Sequence, residues 1–317
     1  MDALLQELFD TLNLLRISSF NTIASTSLLL YEIIITSGQE FNLIWRKPLS
    51  FISVVYALLR YYSLCYLLVL SYETINTSLP ENFCQFFILF QVWGATAFVP
   101  VVDTLIIMRI YALYNRSKKV GVILVILWIG ELVCDFLFIG ISFTPDQEAM
   151  ANPLPGILPG CYTTAAAELT QVILSGAIVS AFQAIYFALT MYKLFQRVRD
   201  FGFSLNPLLK IFFRDGAGFC LIILAMYILI TILFASGPDQ LQGIGQSWAI
   251  SIISIAASRL VLNIRDVATP SEYFGYNSTG GFRMTSPAMR FPRPRMHGDH
   301  NTDTILAIQE ETSSLPQ

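Results

Sequence analysis

The sequence predicts an all-α, polytopic bundle of seven transmembrane helices, with its N-terminus exoplasmic and its C-terminus cytoplasmic. Three observations predict it. First, apolar stretches occur near residues 17 to 36, 49 to 70, 84 to 107, 120 to 143, 165 to 191, 216 to 236 and 244 to 263. Each is long enough, at about 1.5 Å rise per residue, to cross a hydrocarbon core of roughly 30 Å. Second, Lys and Arg concentrate in alternate connections, which by the positive-inside rule face the cytoplasm. Third, 55% of residues are hydrophobic and only 13% charged, with a mean hydropathy of +0.60, far from a soluble globular domain.

Residues 1 to 16 form a short exoplasmic N-terminus. The first apolar segment follows Asp2, Glu7 and Asp10 without a basic region or small-residue cleavage site, so it is expected to be a retained helix and not a signal peptide. It contains Asn21, Ser25, Thr26, Ser27 and Glu32, and the count of seven depends on its insertion. Arg46 and Lys47 come after it on the basic side, whereas Arg16 at its outer edge is the exception to the charge pattern.

The second span places Arg60 near its middle, with eleven residues on each side, too deep to snorkel easily. A carboxylate partner is expected, and Glu32 or Asp103 on adjacent helices are the candidates. Such a buried network of Glu32, Arg60 and Asp103 either biases two helix arrangements or statically fixes packing. Other polar residues at membrane depth are Glu131, Asp135, Glu168 and Gln183. The segment from 71 to 83 carries no Lys or Arg but holds Glu73, Glu81 and the sequon at Asn76, the one sequon on the exoplasmic side and close to the membrane.

The third span begins at Cys84 and contains Pro100, whose missing N–H marks an expected hinge one turn before Asp103. Arg109, Arg116, Lys118 and Lys119 mark its basic exit. After the fourth span, residues 144 to 164 hold four prolines and two glycines, which favours a compact extended loop over a helix. That loop ends in Cys161. Because Cys65, Cys134 and Cys220 fall inside spans, Cys84 and Cys161 are the two cysteines at the oxidising face, and a disulfide between them would pin the loop across the bundle mouth.

Gly176, Ser180, Ala184 and Ala188 recur every four residues in the fifth span, a small-residue stripe suited to an internal helix contact or a homodimer face. Ser247, Ser251, Ser254 and Ser258 form a similar stripe in the seventh, read as an internal contact. Arg197 and Arg199 join Arg109, Arg116, Lys118 and Lys119 as candidate contacts for a cytoplasmic signalling protein. The membrane domain thus covers residues 17 to 265. Residues 266 to 317 are rich in Pro, Ser, Thr, Gly and Asn and are expected to form a disordered cytoplasmic tail.

Both histidines, His297 and His300, lie in that tail, and no phosphate-cradling loop or nucleophile beside a base is present. No metal, cofactor, nucleic-acid partner or enzymatic activity is therefore expected; the partner certain to be needed is the lipid bilayer. The plasma membrane is the default compartment for a chain without a retrieval signal.

Tyr31-Glu32, Leu43-Ile44-Trp45-Arg46-Lys47 and Leu59-Arg60-Tyr61 resemble the core of a fungal integral-membrane family, best known from mushroom-forming fungi and called DUF6533. That family typically shows Tyr-Asp, then Ile-Trp with basic residues, then Asn-Arg-Tyr. Glu32 stands where Asp is usual and Leu59 where Asn is usual, while Arg60 is kept. The resemblance covers about residues 20 to 65. The segments Arg109 to Arg116 and Ser258 to Asn263 look like further parts of the same full-length proteins. The family carries no established biochemical function. The seven spans, exoplasmic N-terminus and cysteine placement are also similar to G-protein-coupled receptors at the level of fold, so the reading is a receptor-like sensor, with a small-solute transporter or structural membrane protein as the alternative.

Overall fold

The computed structural model describes residues 2–142, 149–150, 159–163, 169–201, 207–236 and 239–268. Seven helical rods succeed one another along the chain. Helix α1 (Asp2–Glu40) continues into a π-helical turn (Phe41–Trp45). The second rod is α2 (Phe51–Ala57), a second π-helical turn (Leu58–Tyr62) and α3 (Ser63–Ile75). Then come α4 (Glu81–Leu113), α5 (Lys118–Ser142), α6 (Leu169–Phe201), α7 (Pro207–Ser236) and α8 (Asp239–Ala268). Between α5 and α6 the described residues form one small antiparallel pair, β1 (Ala149–Met150) on β2 (Tyr162–Thr163). Of the tail expected from residue 266 onward, residues 266–268 belong to α8, and residues 269–317 lie outside the described residues.

Among the described residues six rods, not the seven expected, are long and apolar enough to cross a membrane: 51–75, 81–113, 118–141, 173–197, 216–236 and 243–266. The first rod falls short because of its polar residues, and its packing explains why they are there. Thr22, Ser25, Thr26 and Glu32 are buried, whereas Phe20, Leu28, Leu30, Ile34 and Ile35 are exposed. Polar groups therefore face the bundle and apolar ones face outward, the reverse of a soluble amphipathic helix.

Helix α1 packs most extensively on α8, and the serine stripe of α8 is the reason. Ser247, Ser251, Ser254 and Ser258 are all buried, Ser251 donates to the Ser25 carbonyl at 3.0 Å, and Ser254 donates to the Leu59 carbonyl at 2.8 Å. Thr26 and Ser71 hydroxyls meet at 2.9 Å, tying α1 to α3. On the other side of the bundle, α6 packs on α7 and α5. A Cβ at Gly176 would lie 2.8 Å from the Thr231 hydroxyl, and Ser180 approaches that hydroxyl at 3.3 Å. The upper half of the Gly176, Ser180, Ala184, Ala188 stripe is thus an internal contact with α7; Ala184 and Ala188 are exposed. The internal contact expected of the stripe is thus present at Gly176 and Ser180. Helix α4 continues without a break through Pro100, and the Thr104 hydroxyl binds the Pro100 carbonyl at 2.7 Å.

Candidate functional site

Arg60 is 1% exposed and sits on the π-helical turn that joins α2 to α3. Its carboxylate is Glu40, neither Glu32 nor Asp103: Nε lies 3.1 Å from Glu40 Oε2. The approach is an ion pair without a directed hydrogen bond from Nε. Nη2 donates to the Thr36 hydroxyl, to the Ile33 carbonyl at 3.2 Å and to the Glu32 carbonyl at 3.4 Å. The guanidinium also lies over the Tyr56 ring, 5.7 Å from its centroid.

Glu40 is the hub. Its Oε1 accepts from Tyr61 at 2.5 Å and from Trp45 Nε1 at 2.9 Å. Trp45 ends the first π-helical turn, closed by Arg46 N–H on the Phe41 carbonyl at 3.0 Å, and Arg60 and Tyr61 lie on the second. Each π-helical turn inserts an extra residue and rotates the side chains beyond it, which aims Trp45, Arg60 and Tyr61 at one carboxylate. The antiparallel geometry accounts for the partner: with the hairpin turning near Pro48, residue 36 lies opposite residue 60, and Glu40 is one turn nearer the bend.

The Glu32 side chain pairs elsewhere. Arg259 of α8 holds it through two bonds, Nε to Oε1 at 2.6 Å and Nη2 to Oε2 at 2.9 Å. Glu32 is buried in this pair while the Arg259 side chain is 60% exposed. Arg265, the last basic residue of α8, straps the hairpin bend: Nη1 donates to the Leu43 carbonyl at 3.0 Å, and Nη2 to Ser50 at 2.7 Å and Ser53 at 2.9 Å. Arg265→Gln is expected to destabilise the protein by about 1–2 kcal/mol, measured by thermal unfolding in one detergent, because it loosens the Ser50 cap of α2.

Asp103 belongs to a second, separate centre. It is 0% exposed and accepts from Gln183 Nε2 at 2.5 Å, and that nitrogen also reaches Glu131 Oε1 at 3.4 Å. Tyr186 donates to Glu131 Oε2 at 2.9 Å, and Ser175 donates to Asp135 Oδ1 at 2.7 Å. Three buried carboxyls from α4 and α5 therefore meet neutral donors from α6. Two ionised carboxylates sharing one amide donor would repel by a few kcal/mol even at an effective dielectric of about 20. Among the described residues no group of three or more His, Cys, Asp or Glu is arranged to hold a metal ion.

One end of the bundle is clamped. Cys84 at the start of α4 is disulfide-bonded to Cys161. The Cys161 N–H donates to Glu73 Oε1 at 2.8 Å, and the Gly160 N–H to the Asn76 carbonyl at 3.1 Å. Gly160 has φ +99°, and a Cβ there would stand 2.8 Å from Glu73 Oε1, so only glycine fits. The Asn76 side chain is itself engaged, donating to the Tyr72 carbonyl at 2.7 Å.

The opposite end carries the basic residues, and they divide into two groups. Arg197 Nη2 donates to the Leu113 carbonyl at 2.9 Å and to Asn115 Oδ1 at 3.1 Å, capping the C-terminus of α4 from α6. Arg109 packs against Gly216 of α7, where a Cβ would fall on its guanidinium. Both are internal supports. Arg116, Lys118, Lys119 and Arg199 are exposed. Asn115 and Arg116 adopt left-handed φ of 55° and 56°, which ends α4 and turns the chain into α5.

The sequence marks Arg60, Glu32, Asp103, Glu131, Asp135 and Gln183 as polar at membrane depth, but the expected network of Glu32, Arg60 and Asp103 is divided between two centres, and nothing in that expectation includes Glu40. The spacing that betrays Glu40 is its place one turn from the residue opposite Arg60 across the Pro48 bend. No curated protein matches the chain. Residues 20–65, the stretch that holds Glu32, Glu40, Trp45, Arg60 and Tyr61, match the model of DUF6533, a family of unknown function, and the chain is a DUF6533-domain-containing, largely helical protein that spans the membrane several times.

Proposed function

We propose that this protein is a receptor-like sensor of the plasma membrane, its disulfide-clamped end exoplasmic and its basic end cytoplasmic. The observation that carries the reading is the contrast between those ends. Cys84–Cys161, Glu73 and Asn76 fix residues 160 and 161 on α3 and α4, while Arg116, Lys118, Lys119 and Arg199 stand exposed where a cytoplasmic signalling protein would dock. In this reading α1 is the seventh crossing, supported by its apolar outer face, and the N-terminus is exoplasmic. Pro100 serves as the hinge between the ends, and Ala184 with Ala188 remains the exposed part of the stripe for pairing with a second copy.

A sensor must transmit change from one end to the other. Spin labels at Lys119→Cys and Arg199→Cys, in a background without Cys65, Cys134 and Cys220, report the spacing of α5 and α6 at the basic end. Replacing Cys84 and Cys161 by Ser is expected to shift that distance distribution. An unchanged distribution would leave the sensor reading without its coupling. The second reading, a transporter, is favoured by the carboxyl centre of Asp103, Glu131 and Asp135 near the middle of the bundle. Solute-dependent flux into sealed proteoliposomes would select it.

A further inference from the structure

Asp103, Glu131 and Asp135 form no ion pair with a cationic side chain among the described residues. Each of the two ion pairs described, Arg60 with Glu40 and Arg259 with Glu32, lies on the α1, α3 and α8 side of the bundle. The donors to the three carboxyls are Gln183, Tyr186 and Ser175 from α6, and the phenol of Tyr227 from α7 lies within their electrostatic reach. All of the donors are neutral. Neutral donors orient a carboxylate but do not cancel its charge, and a membrane interior offers no bulk water to do so.

A second observation comes from Asp103 itself. Its Oδ1 takes the short bond from Gln183, whereas its Oδ2 is fully buried with no hydrogen-bond partner. A carboxylate oxygen left in that position is the most costly atom in the centre to keep charged. A proton on the Asp103 carboxyl removes the charge, and it also removes the repulsion from Glu131, which shares the Gln183 amide.

We propose that Asp103, Glu131 and Asp135 form a proton-binding site within the bundle, holding at least one proton between Asp103 and Glu131 at neutral pH. The ligand is a proton from bulk water. It adds to a carboxylate oxygen and returns to water as the pH rises, with no other bond made or broken. Losing the proton sets like charges on α4 and α5 against each other beside the neutral donors of α6, whichever of the two functional readings holds.

The full chain in nanodiscs of zwitterionic phospholipid gives the test, read in the infrared by the carbonyl stretch of protonated carboxylic acids. Wild type is expected to show that band at neutral pH and to lose it as the pH is raised. Asp103→Asn and Glu131→Gln, which mimic the neutral form, are each expected to remove part of the band. They are also expected to flatten the fall in unfolding temperature that wild type shows with rising pH, since a carboxyl that holds its proton in the folded state and has released it in the unfolded chain makes stability fall as the pH rises. Absence of the wild-type band at neutral pH overturns the proposal, as does a band left whole in both variants. Failure of these neutral isosteres to fold overturns it too, because the charged form would then be what holds the helices together.

Discussion

Replacing Glu40 by Ala is expected to destabilise the protein by about 3–5 kcal/mol, the usual cost of stranding one member of a buried ion pair. Arg60 is 1% exposed, and its remaining partners are carbonyls, the Thr36 hydroxyl and the Tyr56 ring, none of which carries a charge to neutralise a cation. The same substitution strips Trp45 and Tyr61 of their shared acceptor. Unfolding of the purified protein in a single detergent, followed by helix content, measures the loss. The paired change Glu40→Leu with Arg60→Met should recover most of it, because an apolar pair of similar volume carries no charge to desolvate. A single variant within about 1 kcal/mol of wild type would mean that Arg60 is neutralised by something other than Glu40.

Loss of the Cys84–Cys161 bridge has the second largest expected effect, about 2–4 kcal/mol. The bridge closes a loop of 77 residues, long enough for a large gain in chain entropy when it is cut. The lower part of that range is favoured here because α4 and α5 hold much of the intervening chain in helices even when tertiary packing is lost. Cys84→Ser with Cys161→Ser should lower the unfolding temperature, and limited proteolysis should first cut between α5 and α6. The Gly160 to Asn76 and Cys161 to Glu73 bonds are too few to keep residues 160 and 161 in place alone.

The positions of the helices were legible because apolar runs of membrane length have few competing explanations. Their ends were not: α4 continues to Leu113 and α6 to Phe201, since a helix leaving the bilayer stays helical until a breaker such as the left-handed Asn115 and Arg116 stops it. Cysteine placement was legible because two of the five fall on one face. Partners inside the membrane were not, because period and spacing identify which residues are polar but not which helices are neighbours. Glu32 found Arg259, 227 residues away, and Asp103 found Gln183, 80 residues away. The π-helical turns escape any 3.6-residue pattern, and with them the convergence of Trp45, Arg60 and Tyr61 on Glu40. The six-helix outcome for membrane-length apolarity likewise reflects a first helix whose polar side could be judged only against α8.

The pairing of Glu32 with Arg259 also bears on how the molecule is made. At about 5–20 residues added per second, the ribosome leaves on the order of tens of seconds between the two ends of that pair. Throughout that time the nascent first helix carries a carboxylate with no counter-ion of its own, while the last helix that supplies it has yet to be synthesised. The N-terminal rod therefore gains the counter-ion of Glu32 only once the last helix has been made.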